Sequence, residues 1–349
     1  MATPVDQRRA GPDQGKEVRT ILSIDGGGIR GIIPALVLAE IERRTGRPIA
    51  ELFGLVAGTS TGGILAVGLT VPGPDGGPKF RSEDMVQLYA QHGEEIFHRE
   101  EWRQALAWVR GPAYSPAALE RLLAQYLGEA MLSQAVTGLL VTSWELRSRT
   151  AWFFRRAQAR SDPTKDILLR DIARATSAAP TYFPPLRRPA PDGSGDYALV
   201  DGGVFANNPG MAAWVDAHEG ARPGQGVFML SLGTGSADDP VTYAQASRWG
   251  KISWAQPVIN VVLAGAADTV EHELGQLLQP GHYHRFQTPI PRANRQMDDA
   301  SPANLQALEE LAAAMIRARS ADIDTVCARL LELAGEGSLT ASHHNSGNV

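Results

Sequence analysis

The chain has 349 residues, 43% of them hydrophobic, which is enough apolar material for one large α/β domain or two modest ones and too much for a disordered chain. Its formal net charge of -5 excludes the broad basic field of a nucleic-acid binder and provides no bulk attraction to an anionic membrane. The single cysteine, Cys327, can form neither an internal disulfide nor a thiolate metal cage, so it reads as a small buried hydrophobe and calls for no oxidising compartment.

In chain order, residues 1–17 are polar, carry Pro4 and Pro12, and read as a disordered end with no apolar core of signal-peptide length. No later apolar run is long enough for a membrane span, so the expected location is the cytoplasm. A first strand at Thr20–Ile24 breaks into the three glycines of "DGGGIRG" and resumes as a helix at Pro34–Arg44. Gly26, Gly28 and Gly31 satisfy G-x-G-x-x-G, which would seat a dinucleotide pyrophosphate on a helix N-terminus. The same backbone N–H groups would equally hold a transient oxyanion.

A second strand at Phe53–Ala57 and a helix at Thr61–Leu69 follow, then a ten-residue surface loop at Val71–Phe80. Further helices read at Ser82–Phe97, Pro116–Tyr126, Ile167–Ser177, Pro257–Leu278, Pro302–Arg319 and Ile323–Leu333, with strands at Leu139–Trp144, Trp152–Arg155, Ala198–Val200 and Val227–Leu232. The tail from Gly335 to Val349 is Gly, Ser, Asn and His, and reads as disordered. Strands alternating with helices predict an α/β fold with a mostly parallel sheet covered on both faces, with functional loops at the carboxyl ends of the strands.

The second strand leads into Gly58-Thr59-Ser60-Thr61-Gly62, a G-x-S-x-G match between an apolar strand and a helix, the setting of a nucleophile elbow. The small flanking glycines permit the tight turn, and the helix N-terminus favours developing negative charge on Ser60. A glycine-rich helix start that only packs closely is the alternative. A serine needs a base, yet none of the eight histidines lies in a loop suited to catalysis. His92, His98 and His218 read as solvated, and His272 lacks the second His of H-E-x-x-H. His282 and His284 alternate along a strand without a third ligand, and His343 and His344 read as solvated tail residues.

An aspartate is better placed. "YALVDGGVFANNPG" is an apolar strand ending in Asp201-Gly202-Gly203, so Asp201 sits at a strand's carboxyl end. Burial without a cationic partner would raise its pKa and let it accept the Ser60 proton. An ordinary Asp-Gly turn is the competing reading.

"DGGGIRG" from Asp25, "GTSTGG" from Gly58 and "DGG" from Asp201, in that order, resemble the patatin-like phospholipases, acyl hydrolases with a Ser/Asp dyad and no catalytic histidine. "TSWEL" from Thr142, "RATSAAPTYFPP" from Arg174, "NNP" from Asn207 and "LSLGTG" from Leu230 extend the resemblance, which is strong from Thr20 to Gly235 and looser through "HYHRFQ" and the helix beyond. The resemblance implies a single three-layer α/β/α domain over residues 18–334, with a motif-bearing part at 20–235 and a helical part at 255–334. It implies Ser60 as nucleophile, Asp201 as base, and an oxyanion hole from the N–H groups of Gly26, Gly27 and Gly28, with Arg30 holding the loop or aiding charge stabilisation. Gly58, Gly62, Gly202 and Gly203 would shape the two turns. No metal or organic cofactor is implied. The dinucleotide reading fits less well, because its acidic residue would be Glu51, which precedes the second strand instead of ending it. A phosphate loop is absent, since "QGKEV" and "WGKIS" lack the final hydroxyl residue.

The expected substrate is a phospholipid or another acyl-ester lipid. Transient contact with a membrane surface would use Trp102, Leu106, Trp108 and Val109, or Trp249 and Trp254 around Lys251, although tryptophans at helical spacing more often belong to a core. An acyltransferase or general esterase on the same dyad and an inactive lipid-binding relative are the competing functions. Bacterial patatin-like proteins of this size include general lipid hydrolases, secreted toxins and cyclic-nucleotide-activated effectors of phage defence, so a small-molecule nucleotide activator is an open expectation. The Ala-, Arg- and Gly-rich composition points to a GC-rich bacterial source.

Overall fold

The structure is a computed structural model that describes residues 18–97, 111–190, 193, 195–219, 226–237, 241–254 and 257–344. Its strands, in chain order, are β1 (Val18–Ile24), β2 (Leu55–Gly58), β3 (Gly138–Glu145), β4 (Thr150–Arg155), β5 (Leu186–Pro189), β6 (Asp196–Asp201), β7 (Gly226–Leu232), β8 (Ser236–Ala237), β9 (Tyr283–Phe286) and β10 (Pro289–Ile290). The longer helices are α1 (Ile32–Thr45), α2 (Thr61–Thr70), α3 (Ser82–Ile96), α4 (Ala117–Leu127), α5 (Leu169–Thr176), α6 (Gly210–His218), α7 (Pro257–Leu277), α8 (Pro302–Ala318) and α9 (Ser320–His344).

The main sheet runs β5-β6-β3-β2-β1-β7-β9, with β4 also on β3. Its centre, from β3 to β9, is parallel. The pairs of β3 with β4, β3 with β6 and β5 with β6 are antiparallel. The central strands are apolar on both sides, as a parallel sheet covered on both faces requires. Leu22, Ile24, Val56, Leu139, Val141 and Leu230 pack with α1, α2, α3, α8 and α9 on one face. Ile21, Leu55, Ala57, Leu140, Val227 and Met229 pack with Ala213 and Ala217 of α6 and Leu274 of α7 on the other. The expected α/β fold with a mostly parallel central sheet is the observed one.

One detail of the sheet positions everything that follows. Leu140 and Val141 pair with both β2 and β4, while Ser143 to Glu145 pair with both β4 and β6. A strand has only two edges, so β4 fills one edge of β3 while β2 and β6 share the other. Because β2 is parallel to β3 and β6 antiparallel, their carboxyl ends meet head to head, Gly58 opposite Val141 and Asp201 opposite Ser143.

Some features depart from expectation. Helix α6, "GMAAWVDAH", and strand β5, "LRRP", lack the long apolar periodicity that marks the others, and their packing and pairing decide them. Residues 335–344, read as part of a disordered tail, continue α9 as helix to His344. Once the packed turns around Ile323, Val326 and Leu330 nucleate the helix, each further turn adds hydrogen bonds at low cost, even through Gly335 and Gly337. The N-terminal tail expected at 1–17 lies outside the described residues.

Candidate active site

Ser60 lies between the end of β2 and the start of α2, with φ 56° and ψ -125°, a left-handed conformation that L-residues avoid. The turn closes so tightly that a Cβ on Gly58 would lie 2.1 Å from the Gly62 carbonyl oxygen, and one on Gly62 would lie 2.2 Å from that of Ile24. Only glycine fits at either flank. The Ser60 N–H donates to Thr176 Oγ1 at 2.8 Å, which fixes the strained residue from the side of α5. The N-terminus of α2 directs its partial positive charge at the Ser60 hydroxyl.

Asp201 closes β6, and its carboxylate shares the cavity floor with Ser60, whose hydroxyl is near enough to favour the charged form. Its Oδ1 accepts the Gly203 N–H at 2.7 Å. The side chain is buried, and loss of hydration pushes its pKa up to about 7, with the nearby Ser60 hydroxyl and the Gly203 N–H opposing the rise. The two ends are tied together by hydroxyls. Thr59 Oγ1 donates to the Ala206 carbonyl at 2.7 Å, so its single proton is committed, and Thr142 must donate to Thr59 across their 2.7 Å contact.

The glycine loop lies beside this pair. Gly28 adopts φ +60°, and a Cβ there would meet the Met297 carbonyl oxygen at 2.1 Å. The Gly27 and Gly28 N–H groups have no acceptor among the described residues, and both glycines line the cavity that holds Ser60 and Asp201. Gly26 differs from the expectation: its N–H donates to the Asn207 carbonyl at 3.0 Å, and its own carbonyl accepts from Thr234 Oγ1 at 2.7 Å. Gly26 therefore fastens the loop and has no N–H left for an oxyanion. Arg30 turns back to donate from Nε to the Gly27 carbonyl at 3.2 Å, and burial pulls its pKa down to about 10. That contact braces the loop and makes no direct approach to the cavity.

Asp25, which opens the loop, is clamped by Arg285 of β9 through Nη2–Oδ2 at 2.5 Å and Nη1–Oδ1 at 3.1 Å. Both side chains are buried; desolvation raises the Asp25 pKa, the guanidinium opposes that rise, and Asp25 in turn holds Arg285 charged. Arg285 also donates to Ser231 Oγ at 2.9 Å and lies 3.4 Å from Glu271 of α7.

The cavity above the pair encloses about 340 Å³, and apart from its polar floor it is apolar, with Ile96, Leu119, Leu123 and Phe183 among its walls. No histidine lines it among the described residues. His92 instead contacts the Tyr126 hydroxyl, His218 the Trp214 carbonyl, His282 the Val227 carbonyl and His284 the Gly281 carbonyl. Among the described residues no group of His, Cys, Asp and Glu could hold a metal ion. Gly202 packs against Thr142, where a Cβ would lie 2.0 Å from Oγ1. Trp102, Leu106, Trp108, Val109 and His98 lie outside the described residues. Trp249 and Trp254 stack edge to face at 5.0 Å, with Trp254 exposed.

Thr176, Thr234, Arg285 and the Asn207 carbonyl are the contributors that residue-level reasoning on the sequence did not single out. Thr176, Asn207 and Thr234 do lie within the quoted stretches "RATSAAP", "NNP" and "LSLGTG".

The chain is similar to plant proteins along most of its length. It is 32% identical to patatin-like protein 2 of Oryza sativa subsp. indica over 96% of this chain and 93% of that one. It is 32% identical to patatin-like protein 1 of Arabidopsis thaliana over 88% and 84%, and 30% identical to patatin group M-3 of Solanum tuberosum over 86% and 84%. The crystal structure of VipD from Legionella pneumophila aligns with 85% of this chain and 67% of its own at 14% identity and a TM-score of 0.40, too distant to bear on function. The family model described as patatin-like phospholipase matches residues 22–214, from β1 through the glycine loop, Ser60 and Asp201 into α6, and the chain belongs to that family.

Proposed function

We propose that the protein is a lipid acyl hydrolase of the phospholipase A type, with Ser60 as nucleophile and Asp201 as general base. The observation that carries this reading is a buried carboxylate of raised pKa, without a cationic partner, beside Ser60 at the floor of an apolar cavity. An aqueous carboxylate is too weak a base for a serine, whereas one near pH 7 is matched to the task.

Ser60 Oγ attacks the ester carbonyl carbon while its proton passes to Asp201. The resulting oxyanion accepts hydrogen bonds from the Gly27 and Gly28 N–H groups, which are fixed before the substrate arrives and cost no reorganisation. Asp201 returns the proton to the departing alcohol oxygen, leaving an acyl-enzyme. Water then attacks, Asp201 takes its proton and hands it to Ser60 Oγ, and a fatty acid leaves. The apolar walls suit an acyl chain and exclude the water that would lower the Asp201 pKa.

The test is fatty-acid release from phospholipid vesicles by the wild type, Ser60→Ala and Asp201→Asn. The reading requires release by the wild type and none above background by either variant. Activity retained by Ser60→Ala overturns it. Release of acylated product on adding an acceptor alcohol would assign the acyl-enzyme to transfer instead of hydrolysis.

A further inference from the structure

The first half of α7 forms one side of the cavity mouth. Val258, Val262 and Leu263 line the cavity, yet Val258 and Val262 are 42% and 50% exposed on their outer sides. Val261, which does not line the cavity, is 52% exposed. Residues 258, 261, 262 and 265 follow the i, i+3, i+4, i+7 spacing of a single helix stripe. Val204, one residue beyond Gly203 in a short turn packed against this helix, lines the cavity and is 38% exposed, and Trp254 stands exposed just before the helix.

The sequence explains why this half is bare. From Pro257 to Ala267 there is no charged residue, and Asp268 is the first. Farther along, Val270 and Leu274 pack against the sheet, so the second half of the helix is anchored while the first presents valines outward. Exposed apolar groups scattered singly need no explanation, but a contiguous set around a cavity mouth does.

From this continuity we infer that the face formed by Val258, Val261, Val262, Val204 and Trp254 rests on a phospholipid bilayer surface, so that an acyl chain passes from lipid into the cavity without crossing water. The inference rests on the lipid-hydrolase reading and names the surface through which that site is supplied. From Pro257 to Ala267 the helix carries no charge that would select anionic lipids, so a zwitterionic bilayer is the surface to test. No helix among the described residues is long and apolar enough to cross a membrane, so α7 would lie along the surface, its valine stripe reaching into the acyl boundary.

The experiment compares the wild type with Val261→Asp and with the double variant Val261→Asp/Trp254→Ser, neither of which alters a cavity-lining residue. Three quantities are read: co-sedimentation with phosphatidylcholine vesicles, fatty-acid release from those vesicles, and hydrolysis of a water-soluble short-chain ester. A charge on the apolar face should lower vesicle binding about tenfold or more, since one buried valine is worth roughly 1.5 kcal/mol or more. Vesicle hydrolysis should fall in step, and the soluble-ester rate should stay unchanged. Unaltered vesicle binding overturns the inference, as does a light-scattering shift from oligomer to monomer in the variants, which would assign the face to a second copy. If the wild type binds vesicles through this face but hydrolyses neither substrate, the catalytic reading fails and the docking surface stands. Should the aspartate variant lose its thermal transition, Val261→Ser repeats the comparison, and unchanged binding there counts equally against the inference.

Discussion

Gly58 and Asp201 lie along the same edge of β3 with a single residue between their partners, Val141 and Ser143. That intervening residue is Thr142, whose hydroxyl bonds Thr59 and whose side chain fills the space beside Gly202. Two strands that run toward each other and stop leave both carboxyl ends, and the loops that follow, at one point. The proposed nucleophile and base, 141 residues apart in sequence, are therefore placed by sheet register and not by loop flexibility.

Asp201 should govern the pH dependence. With its pKa near 7, kcat/KM for a soluble ester should rise tenfold per pH unit below about pH 6 and level off above about pH 8. A profile that is flat from pH 5 to pH 9 would remove Asp201 as the base.

The same residue should cost stability at neutral pH. Its folded pKa lies above the unfolded value of 3.8, so the folded state binds a proton more tightly. The associated stability is present below about pH 4 and is lost as pH rises toward 7, by up to about 4 kcal/mol for a shift of this size. Asp201→Asn, which cannot titrate, should accordingly gain stability relative to the wild type between pH 4 and pH 7.5. Urea denaturation at the two pH values measures the difference.

Ser60→Gly should be inactive and more stable. The φ of 56° costs a serine about 1–3 kcal/mol, and glycine adopts it freely, less its greater unfolded-state entropy. A net gain of about 1 kcal/mol in chemical denaturation is expected, whereas Ser60→Ala should show no such gain.

Gly28→Ala should lower kcat on a soluble ester by about 10²-fold or more, because relief of the clash with the Met297 carbonyl must displace the loop's N–H groups. The loss should appear in kcat more than in KM, since an oxyanion donor acts on the transition state.

Arg285→Met should destabilise the fold by about 3–5 kcal/mol, because it leaves Asp25 buried without its partner. Arg285→Lys should recover only part of the loss, as an ammonium cannot reproduce the two-pronged contact. The double variant Asp25→Asn/Arg285→Met should be more stable than Arg285→Met alone, which a thermal melt would register.

The sequence by itself determined the class of fold, the elbow, the glycine loop and the strand that ends in Asp201, because each rests on local physics. Apolar runs of strand length, glycines where a Cβ cannot fit and a helix start after Ser60 are all legible within a few residues. It could not determine which N–H groups of the loop are free. The Asn207 carbonyl, remote in sequence, takes the Gly26 N–H and leaves Gly27 and Gly28 to face the cavity. Nor could it place Arg285 against Asp25, or Thr176 against Ser60, since those contacts join strands and helices separated by more than a hundred residues. The raised pKa of Asp201 likewise belongs to the tertiary structure: the aspartate is ordinary in sequence, and only the packing around it removes the water that would keep it a weak base.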